Sequence, residues 1–257
     1  MDNYAILIPS CDKFSFFWKP FFAQLFKNWP DCSYTVYLGS NKKGYIDKRV
    51  KNILTGKDYG WAKSFKIILE QIPEKYLFVW PEDAFIISRI DKGQFDYVFR
   101  LMSQLKIKHI HYRCRPDAER YTENNFLGIY PKGMPYRVNM AGFWDREYLM
   151  GILINGENSW NFEIMGSYRV SNDDGFYCLN FPLFEFIHLS EKHKLKRESV
   201  KKAQQLGISV DDFGTRQSLN EYYISKLKAA YFDFVINKNW QLRVKLMDVL
   251  RKILISY

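Results

Sequence analysis

The sequence predicts an α/β protein with a mostly parallel central sheet flanked by helices. Two observations lead to this fold class: short apolar runs alternate with helical repeats over residues 4–80, and these runs end in turn or acidic residues. Strands that alternate with helices indicate parallel pairing through right-handed crossovers. A chain of 257 residues, of which 47% are hydrophobic, can bury a substantial core.

The first part of the chain has the order strand, helix, strand, helix, strand. A run of apolar residues closed by Pro81 indicates that the last of these strands is buried on both faces. The predicted elements are the strand Tyr4–Ile8, the helix Trp18–Trp29, the strand Tyr34–Leu38, the helix Ser64–Ile72 and the strand Tyr76–Trp80.

In the rest of the chain, the sequence predicts mainly helices. They are Phe95–Leu105, Trp144–Ile154, Glu191–Leu206, Leu219–Ile236 and Trp240–Ile255, with strands at Ile107–Tyr112 and Leu183–Ile187. Residues 113–137 are rich in Tyr, Pro, Asn and charge and read as an irregular insertion, typical of a binding loop or lid. We therefore expect a main domain over residues 1–190 and a helical, basic C-terminal extension, residues 191–257, packed on it.

The formal net charge of +10 is concentrated in two segments. Residues 188–205 carry six Lys and Arg against two acids, and residues 237–257 carry five against one. A basic surface can meet nucleic acid, anionic lipid or an anionic substrate. The apolar stripe of the last predicted helix leaves two interpretations open: it packs on the main domain, or it lies on an anionic membrane.

The four cysteines, at positions 11, 32, 114 and 178, are far apart and form no C-x-x-C pair. This spacing predicts neither a zinc site nor a disulfide framework, and favours a reducing compartment. The N-terminus reads as a first strand rather than a signal peptide, and no run approaches the roughly 18 apolar residues that a spanning helix needs. We therefore expect a cytoplasmic protein.

Polar residues follow three of the predicted strands. Glu82 and Asp83 come directly after Tyr76–Trp80, while residues 10–13 and 39–41 follow the first two strands. Parallel sheets bind ligands beyond the carboxyl ends of their strands, and carboxylates suit Mg²⁺ or Mn²⁺ carrying substrate phosphates. His188 follows another strand and could complete a metal site. The alternative is that the two acids begin a loop or cap a helix.

A second cluster surrounds Trp160. Glu157 and Glu163 enclose it together with Asn158 and Asn161. This mixture suits carbohydrate, because a ring stacks on sugars, amides bind hydroxyls and a carboxylate can take a proton. The alternative is a polar helix start with Asn155 or Asn158 as its cap.

Taken in order, several segments resemble bacterial GT-A-type glycosyltransferases of surface-polysaccharide biosynthesis. The segments are Ile8–Lys13, Trp80–Phe85, Met140–Leu149 and Gly156–Glu163. The resemblance spans most of residues 4–190. It implies a GT-A-like sheet, a nucleotide-sugar donor and a saccharide or lipid-linked acceptor.

The resemblance also implies residue roles. Glu82 and Asp83 take the place of the acidic metal motif, for Mn or Mg, although they are adjacent here instead of forming D-x-D. Glu157 or Glu163 would face the acceptor as catalytic base. The implied nucleotide-sugar contacts are Ser10, Asp12, Lys13, Gly39, Ser40, Asn41 and Asp83.

These observations favour a cytoplasmic glycosyltransferase, with nucleic acid not expected as a partner. Peripheral contact with the inner face of the membrane through the basic C-terminal helix stays open beside packing of that helix on the main domain. Two alternatives stay open. The basic segments and the aromatic content of 18% suit a non-catalytic module that binds nucleic acid or another anionic polymer. The same two acids would also suit a metal-dependent nucleotidyltransferase.

Overall fold

The computed structural model describes residues 3–191, 194–210 and 213–236, and four single positions further on, 242, 245, 246 and 249. The strands are β1 (Tyr4–Pro9), β2 (Thr35–Ser40), β3 (Val50–Leu54), β4 (Tyr76–Val79), β5 (Ala84–Ile86), β6 (His109–His111), β7 (Arg120–Tyr121), β8 (Leu127–Ile129), β9 (Gly142–Asp145), β10 (Phe176–Leu179), β11 (Phe186–His188), β12 (Ser190–Glu191) and β13 (Lys194–Leu195). The helices are α1 (Ser15–Asn28), α2 (Trp61–Glu70), α3 (Lys92–Gln104), α4 (Arg146–Ile152), α5 (Ser159–Arg169), α6 (Arg197–Gln205) and α7 (Leu219–Ile236).

A nine-stranded sheet forms the centre of the molecule, in the order β3-β2-β1-β4-β9-β6-β10-β8-β7. Strands β1 to β4 pair in parallel, as do β6 and β10. Strands β8 and β9 run antiparallel to their neighbours. The predicted fold class, a mostly parallel sheet flanked by helices, is confirmed.

Both faces of the sheet are buried, because successive side chains of a strand point to opposite faces. In β1, Ile6 and Ile8 join one apolar cluster while Ala5 and Leu7 join the other. Strand β4 divides in the same way, and each of its four residues is buried. The predicted burial of the run that ends at Trp80 is therefore confirmed.

Several helices agree with their predicted positions. Helix α7 has the predicted bounds, and α1, α2 and α3 each begin about three residues earlier than predicted.

Strands β3, β5 and β10 were not predicted. Their runs are short, and β3 is buried only at Val50 and Ile53, so no long apolar pattern identifies it.

The predicted helix Trp144–Ile154 is wrong at its start, because Trp144 belongs to β9. The Trp144 ring stacks on His109 of the neighbouring strand at 3.8 Å between centroids. The helix begins only at Arg146, since the Asp145 carboxylate accepts the N–H of Tyr148 at 3.1 Å and caps α4. In the same strand Gly142 has φ 143°, and an added Cβ would lie 2.5 Å from the carbonyl oxygen of Ile110.

Two other predictions need correction. Residues 113–137 are not wholly irregular, because β7 and β8 extend the central sheet there. The predicted helix Glu191–Leu206 begins only at Arg197, after the hairpin of β12 and β13. The predicted helix Trp240–Ile255 lies outside the described residues apart from the four single positions.

A disulfide joins Cys114 to Cys178, so the expectation of no disulfide is wrong, whereas Cys11 and Cys32 are free. The pairing depends on β10 lying beside the chain that leaves β6, across 64 residues of sequence. Because the expected cytoplasmic location rested partly on the cysteines, it stays a prediction. None of the helices formed by the described residues has the length and hydropathy that a membrane crossing requires.

Helix α6 and the segment that contains Phe213 pack on the main body through apolar side chains. Val200 and Ala203 of α6 are buried in the same cluster as β1 and β4, together with Phe213. The Phe213 ring lies 5.0 Å from that of Phe17, centroid to centroid. The domain boundary at residue 190 stays a prediction.

Candidate functional site: an acidic cavity at the carboxyl ends of the strands

A cavity of about 550 Å³ opens at the edge of the sheet where β1 and β4 end. Strand β9 runs the opposite way, so the residues that precede it reach the same edge. The polar residues that line the cavity are Ser10, Cys11, Asp58, Glu82, Asp83, Tyr112, Asn139, Ser159, Glu163, His188, Ser190 and Glu191, and the exposed ring of Trp160 lies beside them. The sheet edge predicted from the strand ends is thus the edge that carries the cavity.

The cavity is acidic. Five carboxyl side chains line it, and among the described lining residues the one basic side chain is His188. A polyanion entering such a cavity would be repelled unless a cation accompanied it.

Asp83 is held by two polar side chains from a distant part of the chain. Its Oδ2 atom lies 3.0 Å from Nε2 of His188 and also accepts a hydrogen bond from Ser190. Its Oδ1 atom makes no hydrogen bond to a described residue. Burial alone would raise the pKa of Asp83, but His188, the Ser190 hydroxyl and the charge of Lys196 hold it below its ordinary value.

The Glu82 side chain has different partners from that of Asp83. It is buried, with 8% of the residue exposed. Its Oε1 accepts the Ser10 hydroxyl at 2.9 Å, and Ser10 Oγ in turn accepts the indole N–H of Trp18 at 2.9 Å. Burial, and then the neighbouring Asp83 carboxylate, raise the pKa of Glu82 above its ordinary value. The two adjacent acids therefore differ: Asp83 is the anionic one, and Glu82 favours its protonated form.

Glu163 projects from α5 into the cavity. Its Oε1 accepts the backbone N–H of Met140 at 3.3 Å. Burial raises the pKa of Glu163 to about 7. A carboxyl group with a pKa near neutrality can exchange protons at physiological pH, which is the property that a general base needs.

Glu157 does not line the cavity. Its side chain forms an ion pair with Arg169 of α5, and its backbone oxygen accepts the N–H of Ala62 at 3.3 Å. The predicted cap is also present, because the Asn158 side chain accepts the N–H of Asn161 at 2.8 Å. The helix-start interpretation therefore accounts for Asn158, and Glu163 is the acid of this cluster that reaches the cavity.

Asp12 and residues 39–41 lie beside the cavity and do not form its wall. The Asp12 carboxylate accepts the backbone N–H groups of Asn41, Lys42 and Lys43 at 3.2, 3.0 and 3.0 Å. Burial would raise the pKa of Asp12, but these three donors lower it. Asn41 returns the contact through its side-chain oxygen, which accepts the N–H of Asp12 at 3.1 Å.

The other polar groups of this loop also form hydrogen bonds within the protein or are exposed to solvent. Ser40 is buried and donates to the carbonyl of Lys43 at 2.5 Å, and Gly39 accepts the N–H of Ser10 at 2.8 Å. Lys13 is exposed, with its ammonium 5.7 Å from the Phe14 ring centre. The role of these residues as nucleotide contacts stays a prediction.

Sequence reasoning missed Asp58, Asn139 and Trp61 as lining residues. Trp61 opens α2, and its ring packs on Phe162 of α5 at 5.4 Å between centroids. Asp58 precedes this helix in an exposed loop. No sequence pattern marks these positions. Trp61 and Asp58 reach the cavity through the packing of α2 against α5, and Asn139 reaches it because β9 runs antiparallel to β4.

Trp160 is a large ring exposed at the cavity, with 56% of the residue accessible. We expect Trp160→Ala to raise the KM for a saccharide acceptor by about tenfold while leaving the melting temperature unchanged, because the exposed ring is available for stacking and buries little in the fold. The matched control is Met165→Ala on the same helix, a residue 51% exposed that does not line the cavity. Equal KM values for the two variants would show that Trp160 does not contact the acceptor.

The carboxylates of the cavity can be compared with the ligands that a divalent cation requires. Among the described residues, no group of three or more His, Cys, Asp or Glu side chains is arranged as metal ligands. Mg²⁺ and Mn²⁺ at nucleotide sites use one or two carboxylates, with water and phosphate oxygens as the remaining ligands. The acidic wall and Oδ1 of Asp83 fit this sparser requirement, whereas His188 already contacts Asp83.

No protein family and no curated protein matches the chain. Among solved structures, it is similar to TarS of S. aureus, residues 1–349, in complex with UDP-GlcNAc: the TM-score is 0.45 and the identity 12%, covering 73% of this chain and 60% of that one. The longer TarS structure matches at a TM-score of 0.43 and 11% identity, covering 70% of this chain and 37% of that one.

HddC from Yersinia pseudotuberculosis is similar at a TM-score of 0.44 and 13% identity, covering 79% of this chain and 99% of that one. This chain thus spans less than two thirds of the length of the TarS structures. With TM-scores below 0.5 and identities below 25%, these similarities transfer neither activity nor ligand to this chain.

Proposed function

We propose that this protein is a nucleotide-sugar-dependent glycosyltransferase that moves a sugar to a saccharide or lipid-linked saccharide acceptor in surface-polysaccharide synthesis. The observation that carries the proposal is the cavity at the carboxyl ends of the strands. It brings an anionic carboxylate (Asp83), a carboxyl group with a pKa near neutrality (Glu163) and an exposed indole ring (Trp160) into one space of about 550 Å³.

The donor diphosphate binds at the Ser10 and Asp83 side of the cavity. Its negative charge cannot be matched by the acidic lining alone, so a divalent cation on Asp83 would supply the positive charge that the diphosphate needs. Lys196 is close enough to lower the pKa of Asp83 and provides a fixed positive charge on the same side. His188 is oriented by its contact with Asp83, which turns the other ring nitrogen, Nδ1, away from that carboxylate.

The acceptor hydroxyl binds on the Glu163 side, where Trp160 and Asn139 line the cavity. In an inverting transfer, the hydroxyl oxygen attacks the anomeric carbon while the bond from that carbon to the diphosphate oxygen breaks. The hydroxyl proton passes to Glu163, and the nucleoside diphosphate leaves with the bonding electrons. Glu163 is the base in this proposal because its raised pKa lets it hold the proton.

The two alternatives are less well supported by the site. A module for nucleic acid or another anionic polymer would need a basic binding surface, whereas five carboxyl groups line the cavity. A nucleotidyltransferase would use the same acids, but nothing in the transfer of a nucleotide requires an exposed indole ring and a carboxyl group with a neutral pKa on the acceptor side.

The test is a thermal-shift panel of nucleoside diphosphates and nucleotide sugars, with and without Mn²⁺. We expect one nucleoside diphosphate to stabilise the protein, by about 2.7 kcal/mol at a hundredfold excess over its Kd, and to do so more strongly with Mn²⁺. The related nucleotide sugar should then release that diphosphate when a saccharide acceptor is added. Consumption of nucleoside triphosphates with release of pyrophosphate would instead identify a nucleotidyltransferase, and no stabilisation by any diphosphate would contradict the proposal.

A further inference from the structure

Helix α7 contacts the rest of the chain through its polar side. Three ion pairs fix it: Glu221 with Lys194 at 2.5 Å, Lys226 with Glu198 at 2.6 Å and Asp233 with Arg115 at 2.6 Å. Ser225 adds a hydrogen bond of 2.8 Å to Glu191. This arrangement is the reverse of the usual one, in which a helix turns its apolar face towards the protein.

The opposite side of α7 is apolar and exposed. Leu219, Tyr223, Leu227 and Tyr231 follow one another at intervals of four residues, so they share one face. Their exposed fractions are 58, 61, 71 and 47%, and Ile224 at the margin of the same face is 51% exposed. A contiguous apolar stripe of this length on a surface marks an interaction site.

The charge of the sequence on either side of α7 indicates which kind of surface the stripe meets. Residues 188–257 contain 14 Lys and Arg against 7 Asp and Glu, so about a quarter of the chain carries most of the net charge of +10. An excess of four basic residues directly follows α7, where residues 237–257 carry five against one acid, and residues 188–205 carry the same excess. Two further apolar residues in that segment, Leu242 and Val249, are 48 and 57% exposed.

We propose that α7 docks its apolar stripe on an anionic lipid surface. Apolar and aromatic side chains of an interfacial helix insert at the boundary between head groups and acyl chains, and nearby basic residues bind anionic head groups, at about 1 kcal/mol for each one close to the surface. Self-association through the stripe is disfavoured, because it would bring two strongly basic segments together.

Docking would also place the cavity near the lipid. Glu191 lines the cavity and accepts the hydrogen bond from Ser225 of α7, so the helix and the cavity wall are joined directly. For a lipid-linked acceptor this arrangement would bring the reacting saccharide to Glu163; this last step rests on the proposed function, whereas the docking does not.

The experiment is co-sedimentation of the full chain with vesicles of phosphatidylcholine alone and of phosphatidylcholine with phosphatidylglycerol, in the absence of any nucleotide. We expect binding to the anionic vesicles only, weakened as the salt concentration rises. The double variant Tyr223→Glu/Leu227→Glu should weaken binding by about tenfold or more, because two apolar contacts are lost and two negative charges are added.

The matched control is Leu105→Glu/Ile154→Glu, which makes the same charge change at two apolar residues that are 54 and 50% exposed elsewhere on the surface. Equal loss of binding in the two double variants would overturn the proposal, as would a wild-type chain that ignores anionic vesicles. A wild-type dimer in solution that the α7 variant dissociates would overturn it in favour of a second copy. Vesicle binding without any nucleotide response would leave docking standing and remove the proposed function alone.

Discussion

Replacing Asp83 with Asn is expected to abolish sugar transfer, lowering kcat/KM by at least about a hundredfold. The substitution keeps the size of the side chain and removes the negative charge that contacts His188 and that would hold a divalent cation at the diphosphate. The measurement is steady-state transfer with the donor found in the thermal-shift panel. Stabilisation by the nucleoside diphosphate should fall with the activity, because the same charge serves donor binding.

Asp91→Asn is the matched control, since it also removes one negative charge. Asp91 caps α3 at an exposed position, where its side chain accepts the N–H of Gln94 at 3.1 Å, and Asn caps helices as well as Asp. We expect this control to retain wild-type activity. If Asp83→Asn kept near-normal turnover while remaining folded, donor binding at Asp83 would have to be abandoned.

Replacing Glu163 with Gln should lower kcat by about 10² to 10⁴-fold, the usual contribution of a general base. The raised pKa of Glu163, about 7, also fixes the sign of the pH dependence. A base must be ionised, so wild-type transfer should rise with pH and level off above about pH 7, and the residual activity of the variant should lack this rise. The measurement is kcat as a function of pH for the two proteins.

The contribution of Glu163 to folding stability should fall as the pH rises, whereas transfer activity rises. The folded-state pKa of Glu163 lies above its unfolded value, so the protonated carboxyl stabilises the fold at low pH, and this contribution is lost as the pH rises through about 7. Gln cannot ionise, and we expect Glu163→Gln to be more stable than the wild type at pH 8 by on the order of 1 kcal/mol. Denaturant unfolding at pH 5 and pH 8 measures this difference, and Glu82, which is shifted in the same direction, is present in both proteins.

Glu157→Gln separates the two candidate bases. Glu157 is ion-paired with Arg169, and its loss leaves a partly buried guanidinium without its carboxylate, so the variant should lose stability and keep the pH profile of transfer. If the rise of kcat with pH were lost in Glu157→Gln and kept in Glu163→Gln, Glu157 would be the base in place of Glu163.

The sequence predicted which edge of the sheet carries the site better than it predicted the residues that line the cavity. The buried run at Tyr76–Trp80 and the alternation of strands and helices are local patterns, and they placed Glu82 and Asp83 at the carboxyl end of a central strand. The same local reasoning failed where short strands such as β3 and β10 lack a long apolar repeat. It also failed for Cys114 and Cys178, because their pairing depends on which strands are neighbours.

By itself, the sequence determined a mostly parallel α/β sheet, an acidic pair at the end of one of its central strands and a basic C-terminal third. Only the tertiary structure decided what each acid does. Asp83 stays anionic despite its burial because His188, 105 positions away, contacts it, while Glu82 is buried against Ser10. Glu163 reaches the cavity, while Glu157 is bound by Arg169. The physical reason is that the ionisation of a carboxyl group depends on the groups that folding brings around it, and residue spacing along the chain does not specify those groups.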